Sequence, residues 1–327
     1  MKIVLITPEG PTSRTGNKVA ANLWARILRG LGHRVRVDAA YDGQPADLMV
    51  AVHAWRSAEA IERFKTAYPD RPLVLQLSGT DIYSTLKSDP VPTLRSMELA
   101  DRLVALNELA WKVVPRRLHK KLMVMHQSAE PLTEPRQPSP RAVVVAVIGH
   151  LRDVKDPLRA AEAARLLPAE SRVRIEQVGR AYTPEWAQRA RAEMAGNPRY
   201  RWRDDVPAAG VRRLLARSHA MAITSLSEGG ANVVSEAVVA GVPILASRID
   251  GNVGLLGRDY RGYFPVGDTR ALARLMRRLE DDPPFVADLG RALRARAPLF
   301  RPAREVAAWR ALLADLAVRV DPAGRHP

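Results

Sequence analysis

The chain has 327 residues and a mass of 36.1 kDa, room for about two domains at ~150 residues each, so one small module is excluded. Apolar residues make up 46% and charged residues 26%, the balance of a folded globular protein and not of a disordered or collagen-like chain. Zero cysteines exclude disulfide frameworks, thiol nucleophiles and Cys-ligated metal centres, and 51 Lys and Arg against 35 Asp and Glu leave a net charge of +16 that favours anionic ligands.

KIVLIT at 2–7 is an apolar, β-branched run that predicts a strand. It carries neither an apolar signal core nor a cleavage site, so the cytoplasm is the expected compartment. From Asn17 to Arg29, Val19, Leu23 and Ile27 recur at helical spacing beside Ala20, Trp24 and Leu28. Strands are then predicted at RVRVDA (34–39), DLMVAVHA (47–54) and PLVLQLSG (72–79), with helical segments between several of them. Strands alternating with helices imply a parallel, doubly wound sheet. The segment 128–141 holds Pro131, Pro135, Pro138 and Pro140, which neither continue a helix nor serve a central strand, and it reads as a linker.

AVVVAVIGH at 142–150 restarts the pattern, followed by a helix through about Leu167, a strand at RVRIEQVG (172–179), a helix near 184–195 and an apolar strand at HAMAITS (219–225). RYRWR at 199–203 is the densest basic and aromatic stretch and reads as a turn and strand. The remaining cations are dispersed along helical patterns, so nucleic acid is not an expected partner. A final helix begins at Pro302 with Val306, Trp309, Leu313 and Leu316 on one face. No apolar stretch approaches the ~18 residues of a membrane span. The expected fold class is α/β, with two Rossmann-like, doubly wound parallel-sheet domains (1–138 with the linker, and 139–301) facing a central cleft, and a C-terminal helix (302–327) packing back on the first domain.

Several motifs fail. GPTSRTGNK at 10–18 has Asn where a phosphate loop needs its Lys. No GxGxxG, GxSxG, HExxH or HxH is present, and the adjacent pairs Asp204–Asp205 and Asp281–Asp282 read as solvated turns, so no protein-held metal is expected. One constellation remains. SLSEGGANVVSEAVVAGVPILAS at 225–247 follows an apolar strand and carries Glu228 in a loop and Glu236 on the helix beyond it. Gly229–Gly230 permits close backbone approach, and the helix start at Ala231–Asn232 presents free N–H groups to an anion. GHLRDVKDP at 149–157 places His150, Arg152 and Lys155 at the end of another strand, where they can neutralise phosphates. Together these describe a nucleotide-diphosphate site.

The E-x7-E run, the upstream G-x5-K and PVGDTRALARL at 265–275 resemble the donor domain of the family 4 retaining glycosyltransferases, which have the GT-B fold. The resemblance implies that 1–138 is the acceptor side and 139–301 binds the nucleotide sugar. It also implies that Glu228 contacts donor-sugar hydroxyls, that Glu236 accepts from the ribose, and that Lys155 and Arg152 face the phosphates. His150 stands where the family has Arg, Gly16 matches its Gly-rich loop, and in LSGTDIY at 77–83 Ser78 occupies the position of the family's usual His. PTSRTGN, YDGQPADL, HLRDVKDP, EGGANVVSEA and SRIDGNVGLLG are similar to the selenosugar synthase group within this fold, which forms a carbon–selenium bond in selenoneine biosynthesis. That resemblance implies a UDP-sugar donor (UDP-N-acetylglucosamine or UDP-glucose) and selenophosphate as acceptor, an anion that needs no general base. No cofactor is then tightly bound, and free Mg²⁺ is required by no motif. Arg14 and Lys18 are the leading acceptor-binding residues, followed by His53, Arg56, Ser78 and Asp81. Trp24 and Trp55 read as packing residues. The alternatives are a conventional retaining glycosyltransferase with a hydroxyl acceptor and a non-catalytic sugar-nucleotide-binding protein.

Overall fold

A computed structural model describes residues 1–10 and 15–320, the side chains of 318–320 excepted. The chain forms two compact units. Unit 1 comprises Met1–Ser128, Gly229–Asn232 and the described residues from Pro302 onward, and unit 2 comprises Ala129–Glu228 and Val233–Arg301.

Unit 1 is built on six parallel strands: β1 (Lys2–Ile6), β2 (Arg34–Asp38), β3 (Leu48–Val52), β4 (Leu73–Gln76), β5 (Arg102–Ala105) and β6 (Leu122–Val124), in the spatial order β2-β1-β3-β4-β5-β6. The central strands β3 and β4 are buried throughout and nearly continuously apolar, as a sheet covered on both faces requires. β2 lies at an edge and is charged at alternate positions, which discourages pairing with another chain. On one face Leu5, Val50, Val52 and Val74 pack against Ala21, Trp24 and Leu28 of the helix Gly16–Gly30 and against Trp309, Leu312 and Leu316 of the helix Pro302–Val320. Each fully buried valine or leucine among them stabilises the unit by roughly 1.5–3 kcal/mol. The rings of Trp24 and Trp309 meet edge to face at 4.9 Å. The Trp24 indole N–H donates to Glu305 at 2.7 Å, and the Ser128 N–H donates to the same carboxylate at 2.8 Å. Burial pushes the Glu305 carboxyl up from its ordinary value.

Unit 2 carries β7 (Val143–Ile148), β8 (Val173–Val178), β9 (Tyr200–Trp202), β10 (Ala220–Ile223), β11 (Ile244–Ser247) and β12 (Tyr263–Phe264), all parallel, in the order β12-β11-β10-β7-β8-β9. This is the Rossmann order, 3-2-1-4-5-6 when read within the unit. Ligands of such sheets bind beyond the carboxyl ends of the strands where the order reverses. In unit 2 that point is β7/β10, and in unit 1 it is β1/β3. Among the described residues no helix is long and apolar enough to cross a membrane.

Candidate active site

The β7/β10 switch point of unit 2 carries charge. β7 ends at Ile148, and after Gly149 the chain makes a short turn, Asp153–Lys155, closed by Asp156 in the left-handed region at φ 42°. β10 leads into Thr224, Ser225 and Glu228. The Lys155 ammonium donates to Glu228 Oε1, and the Ser225 hydroxyl reaches the same oxygen at 2.5 Å. The two loops are tied together: the Thr224 hydroxyl sits 2.9 Å from the carbonyl oxygens of Lys155 and Asp156, and the Leu226 N–H donates to the Val154 carbonyl at 2.9 Å. Gly149, Lys155, Ser225, Glu228 and Val233 line one small cavity with Gln177.

Behind Glu228 a buried chain of hydrogen bonds runs from the Ser247 hydroxyl to the Ser225 carbonyl (2.6 Å) and from the Asn252 amide to the Ser247 carbonyl (2.9 Å). A Cβ at Gly251 would collide with the Glu228 carbonyl, so glycine is required there. His150 Nδ1 accepts from the Arg180 N–H at 3.1 Å. The Arg152 guanidinium lies 5.4 Å from the Tyr182 ring centroid, and its Nε is buried without a partner. Glu236, half-buried on the helix Asn232–Val239, has its carboxyl pushed up to about 7 by burial, the Arg212 charge opposing the shift.

Gly229–Asn232, the turn that connects Glu228 to this helix, packs within unit 1. The Asn107 amide donates to the Gly229 carbonyl at 2.7 Å. A Cβ on Gly229 would strike the Gly79 backbone, and one on Gly230, at φ 150°, would strike Leu106. The glycine pair is therefore demanded by close approach to the Gly79 backbone and to Leu106, a reason that residue pattern alone does not reveal.

At the β1/β3 switch point of unit 1 the carboxylate of Asp81 is fully buried and receives five donors. These are the N–H groups of Ala54 (2.8 Å), Trp55 (3.0 Å) and Ser78 (2.9 Å), the Ser78 hydroxyl (3.1 Å) and His53 Nδ1 (2.7 Å). His53 holds φ 76°, in the left-handed region where a non-glycine residue is strained, and its Nε2 is buried without a partner. Nδ1 also stands 3.3 Å from the Arg56 N–H, so Nε2 is the ring nitrogen left without a partner. Thr7 Oγ1 and Gln76 Oε1, at the ends of β1 and β4, the strands on either side of β3, are likewise buried and unpartnered. Lys18, in the first turn of the helix capped by Thr15, is 8% exposed, and no described carboxylate pairs with it. Gly16 begins that helix and is exposed. Arg56 is exposed and pairs with Glu9 at 3.1 Å. Arg14 lies outside the described residues.

Within unit 2 the structure thus gathers Glu228 and Lys155, and within unit 1 it gathers His53, Ser78 and Asp81. Ser225, Ser247 and Gly251 were missed by sequence reasoning, as was Asn107, because isolated small polar residues and a single glycine carry no spacing signal.

A sequence profile of the family described as Glycosyl transferases group 1 matches residues 133–296. Glycosyltransferase 1 domain-containing protein 1 of Xenopus tropicalis is 25% identical over 299 residues, which cover 83% of this chain and 86% of that protein. Alr3699/HepE of Anabaena, solved in complex with UDP, superimposes with a TM-score of 0.78 at 16% identity, over 96% of this chain and 100% of that one. Its complex with UDP-glucose gives 0.77 at 16% identity over the same shares of the two chains. Sucrose-phosphate synthase of Thermosynechococcus elongatus gives 0.78 at 14% identity over 97% and 99%. With the two six-stranded parallel sheets, these likenesses make the fold α/β of the GT-B type.

Proposed function

The chain belongs to the glycosyl transferases group 1 family, and from that premise we propose that it transfers a sugar from UDP-N-acetylglucosamine or UDP-glucose to selenophosphate, forming a carbon–selenium bond and releasing UDP. The observation that carries the donor half of this reading is the Lys155–Glu228 pair at the β7/β10 switch point. A cation and an acid that neutralise each other when no ligand is bound can separate on a sugar diphosphate: the ammonium turns to the leaving phosphate and the carboxylate to the sugar hydroxyls. As the bond from the anomeric carbon to the diphosphate oxygen breaks, its electron pair goes to the β-phosphate. Donors that face that phosphate once the ligand is bound supply the largest catalytic term. Lys155 and Arg152 are assigned that role, with His150 and Gly16 as further contacts and the N–H groups of Gly229, Gly230, Ala231 and Asn232 as backbone donors. Glu236, ionised, accepts from the ribose hydroxyls.

Selenophosphate is anionic near neutrality and its selenium is a soft nucleophile, so attack on the anomeric carbon needs no base. Lys18, buried and paired with no described carboxylate, supports an anionic acceptor on unit 1, with Arg14 and Arg56 as further cations. Asp81, saturated by five donors, acts by positioning His53 and Ser78. The segment resemblance to selenosugar synthases supports the choice of selenium.

One observation favours a second reading. His53 Nε2 is buried and unmatched, as a ring nitrogen that exchanges a hydrogen bond with a hydroxyl acceptor would be. Incubation with UDP-N-acetylglucosamine and selenophosphate, followed by mass spectrometry, decides between them. A selenium isotope pattern on the sugar supports the first reading, and UDP release only with hydroxyl acceptors supports the second.

A further inference from the structure

Asn107 stands at the carboxyl end of β5, is fully buried, and uses both ends of its amide. Its Oδ1 accepts the Leu109 N–H at 2.8 Å, capping the short helical turn Glu108–Lys112, and its Nδ2 donates to the Gly229 carbonyl at 2.7 Å. The network fixes the amide's orientation, since the reverse would set N–H against N–H and oxygen against oxygen. Around this hydrogen bond the backbone of Gly229 lies against Gly79, and Gly230 lies against Leu106, both so closely that no side chain fits.

We propose that Asn107 is a positioning residue for the turn Gly229–Asn232, the turn whose N–H groups the preceding reading assigns to the donor diphosphate; the inference rests on that reading. The turn has no side chains at its first two positions and a positive φ at Gly230, so its backbone is intrinsically free. Its direction is set by what its carbonyls and Cα atoms touch. Once the Asn107 amide takes the Gly229 carbonyl, the following N–H groups have one orientation ahead of the helix Asn232–Val239. Asn107 touches no reacting atom in this account. It removes the conformational entropy that the donor would otherwise have to quench on binding.

The two functions of the amide can be separated. Asn107→Asp retains the oxygen that caps Leu109 but sets a carboxylate against the Gly229 carbonyl. Asn107→Ser retains a cap and leaves the carbonyl unmatched. Hydrogen exchange of a peptide covering 226–236, measured without ligand, is expected to accelerate at least tenfold in Asn107→Asp while peptides from β1 and β7 keep wild-type rates. Unchanged exchange in 226–236 overturns the proposal, and so does equal acceleration throughout unit 1, which marks a merely structural role. Calorimetric titration with UDP adds the functional readout. A roughly tenfold weaker dissociation constant in Asn107→Asp, about one buried hydrogen bond, and a smaller loss in Asn107→Ser support positioning. A wild-type affinity in Asn107→Asp overturns it. Should the wild-type protein itself bind no UDP, the donor reading falls, and the ligand-free exchange result still decides the restraint on the turn.

Discussion

The two switch points solve the burial of a carboxylate in opposite ways. In unit 2, Glu228 is half-buried and holds a cation, Lys155, with one serine hydroxyl beside it. In unit 1, Asp81 is fully buried and is satisfied by backbone N–H groups, a serine and a histidine, while the local cation Lys18 has no described acidic partner. An ion pair at the rim can exchange partners with a charged ligand at little cost, because both halves of the ligand find a counterpart. A saturated internal carboxylate cannot be redirected without leaving several donors unmatched. Unit 2 therefore offers exchangeable charge, and unit 1 offers a rigid frame with unmet polar atoms at its edge.

The sharpest way to break this contrast is to remove charged groups from each side. Lys155→Ala is expected to lower kcat by about 10²–10³, the effect of deleting one charged donor to a developing oxyanion. Steady-state kinetics with saturating UDP-sugar checks it, and turnover within threefold of wild type would exclude Lys155 from the chemistry. Next in size, Asp81→Ala strands five donors and is expected to destabilise unit 1 by about 3 kcal/mol, read as a shift of the urea midpoint. Glu228→Gln should move that midpoint by less than about 1 kcal/mol, in keeping with a partly exposed pair. Equal shifts would erase the distinction between frame and exchangeable charge.

Glu236 gives a pH test. Its carboxyl is raised to about 7 by burial, above its unfolded value. The folded state therefore holds a proton that the unfolded state releases, and stability falls as pH rises from about 4.5 to 7. Glu236→Gln removes this loss, and at pH 8 the variant is expected to be more stable by about 2 kcal/mol. Ribose hydroxyls need the ionised form, so wild-type UDP affinity should drop between pH 8 and pH 6 by several-fold more than that of Glu236→Gln, which carries only the ligand's own titration. Parallel profiles would remove Glu236 from the ribose. The smallest effect belongs to Lys18→Ala: about a tenfold rise in the acceptor KM, the loss of one charge-assisted contact, with the donor KM unchanged. A change in the donor constant instead would place Lys18 on the wrong substrate.

Much of the scaffold was legible in residue order, because β1, β3, β4, β7 and β10 are buried on both faces and read as short β-branched runs. β5 and β6 escaped prediction: RLVA and LMV are four and three residues long and offer no period to detect. β11 was hidden because the apolar run from Ala237 continues through Gly241 into ILAS, and the break falls at Gly241, which holds a positive φ. Glu228 and Lys155 were legible as a motif, but the hold on them was not. Ser225 and Gly251 act through contacts across 3 and 23 residues respectively, made only once β10 and β11 are paired.

The central claim is that the β7/β10 switch point receives the diphosphate. A crystal structure of the protein with UDP tests it most directly. The account predicts the β-phosphate within hydrogen-bond reach of Lys155 Nζ and of the first N–H groups of the helix Asn232–Val239, with Lys155 drawn off Glu228. A diphosphate bound elsewhere while the Lys155–Glu228 pair stays closed would contradict it.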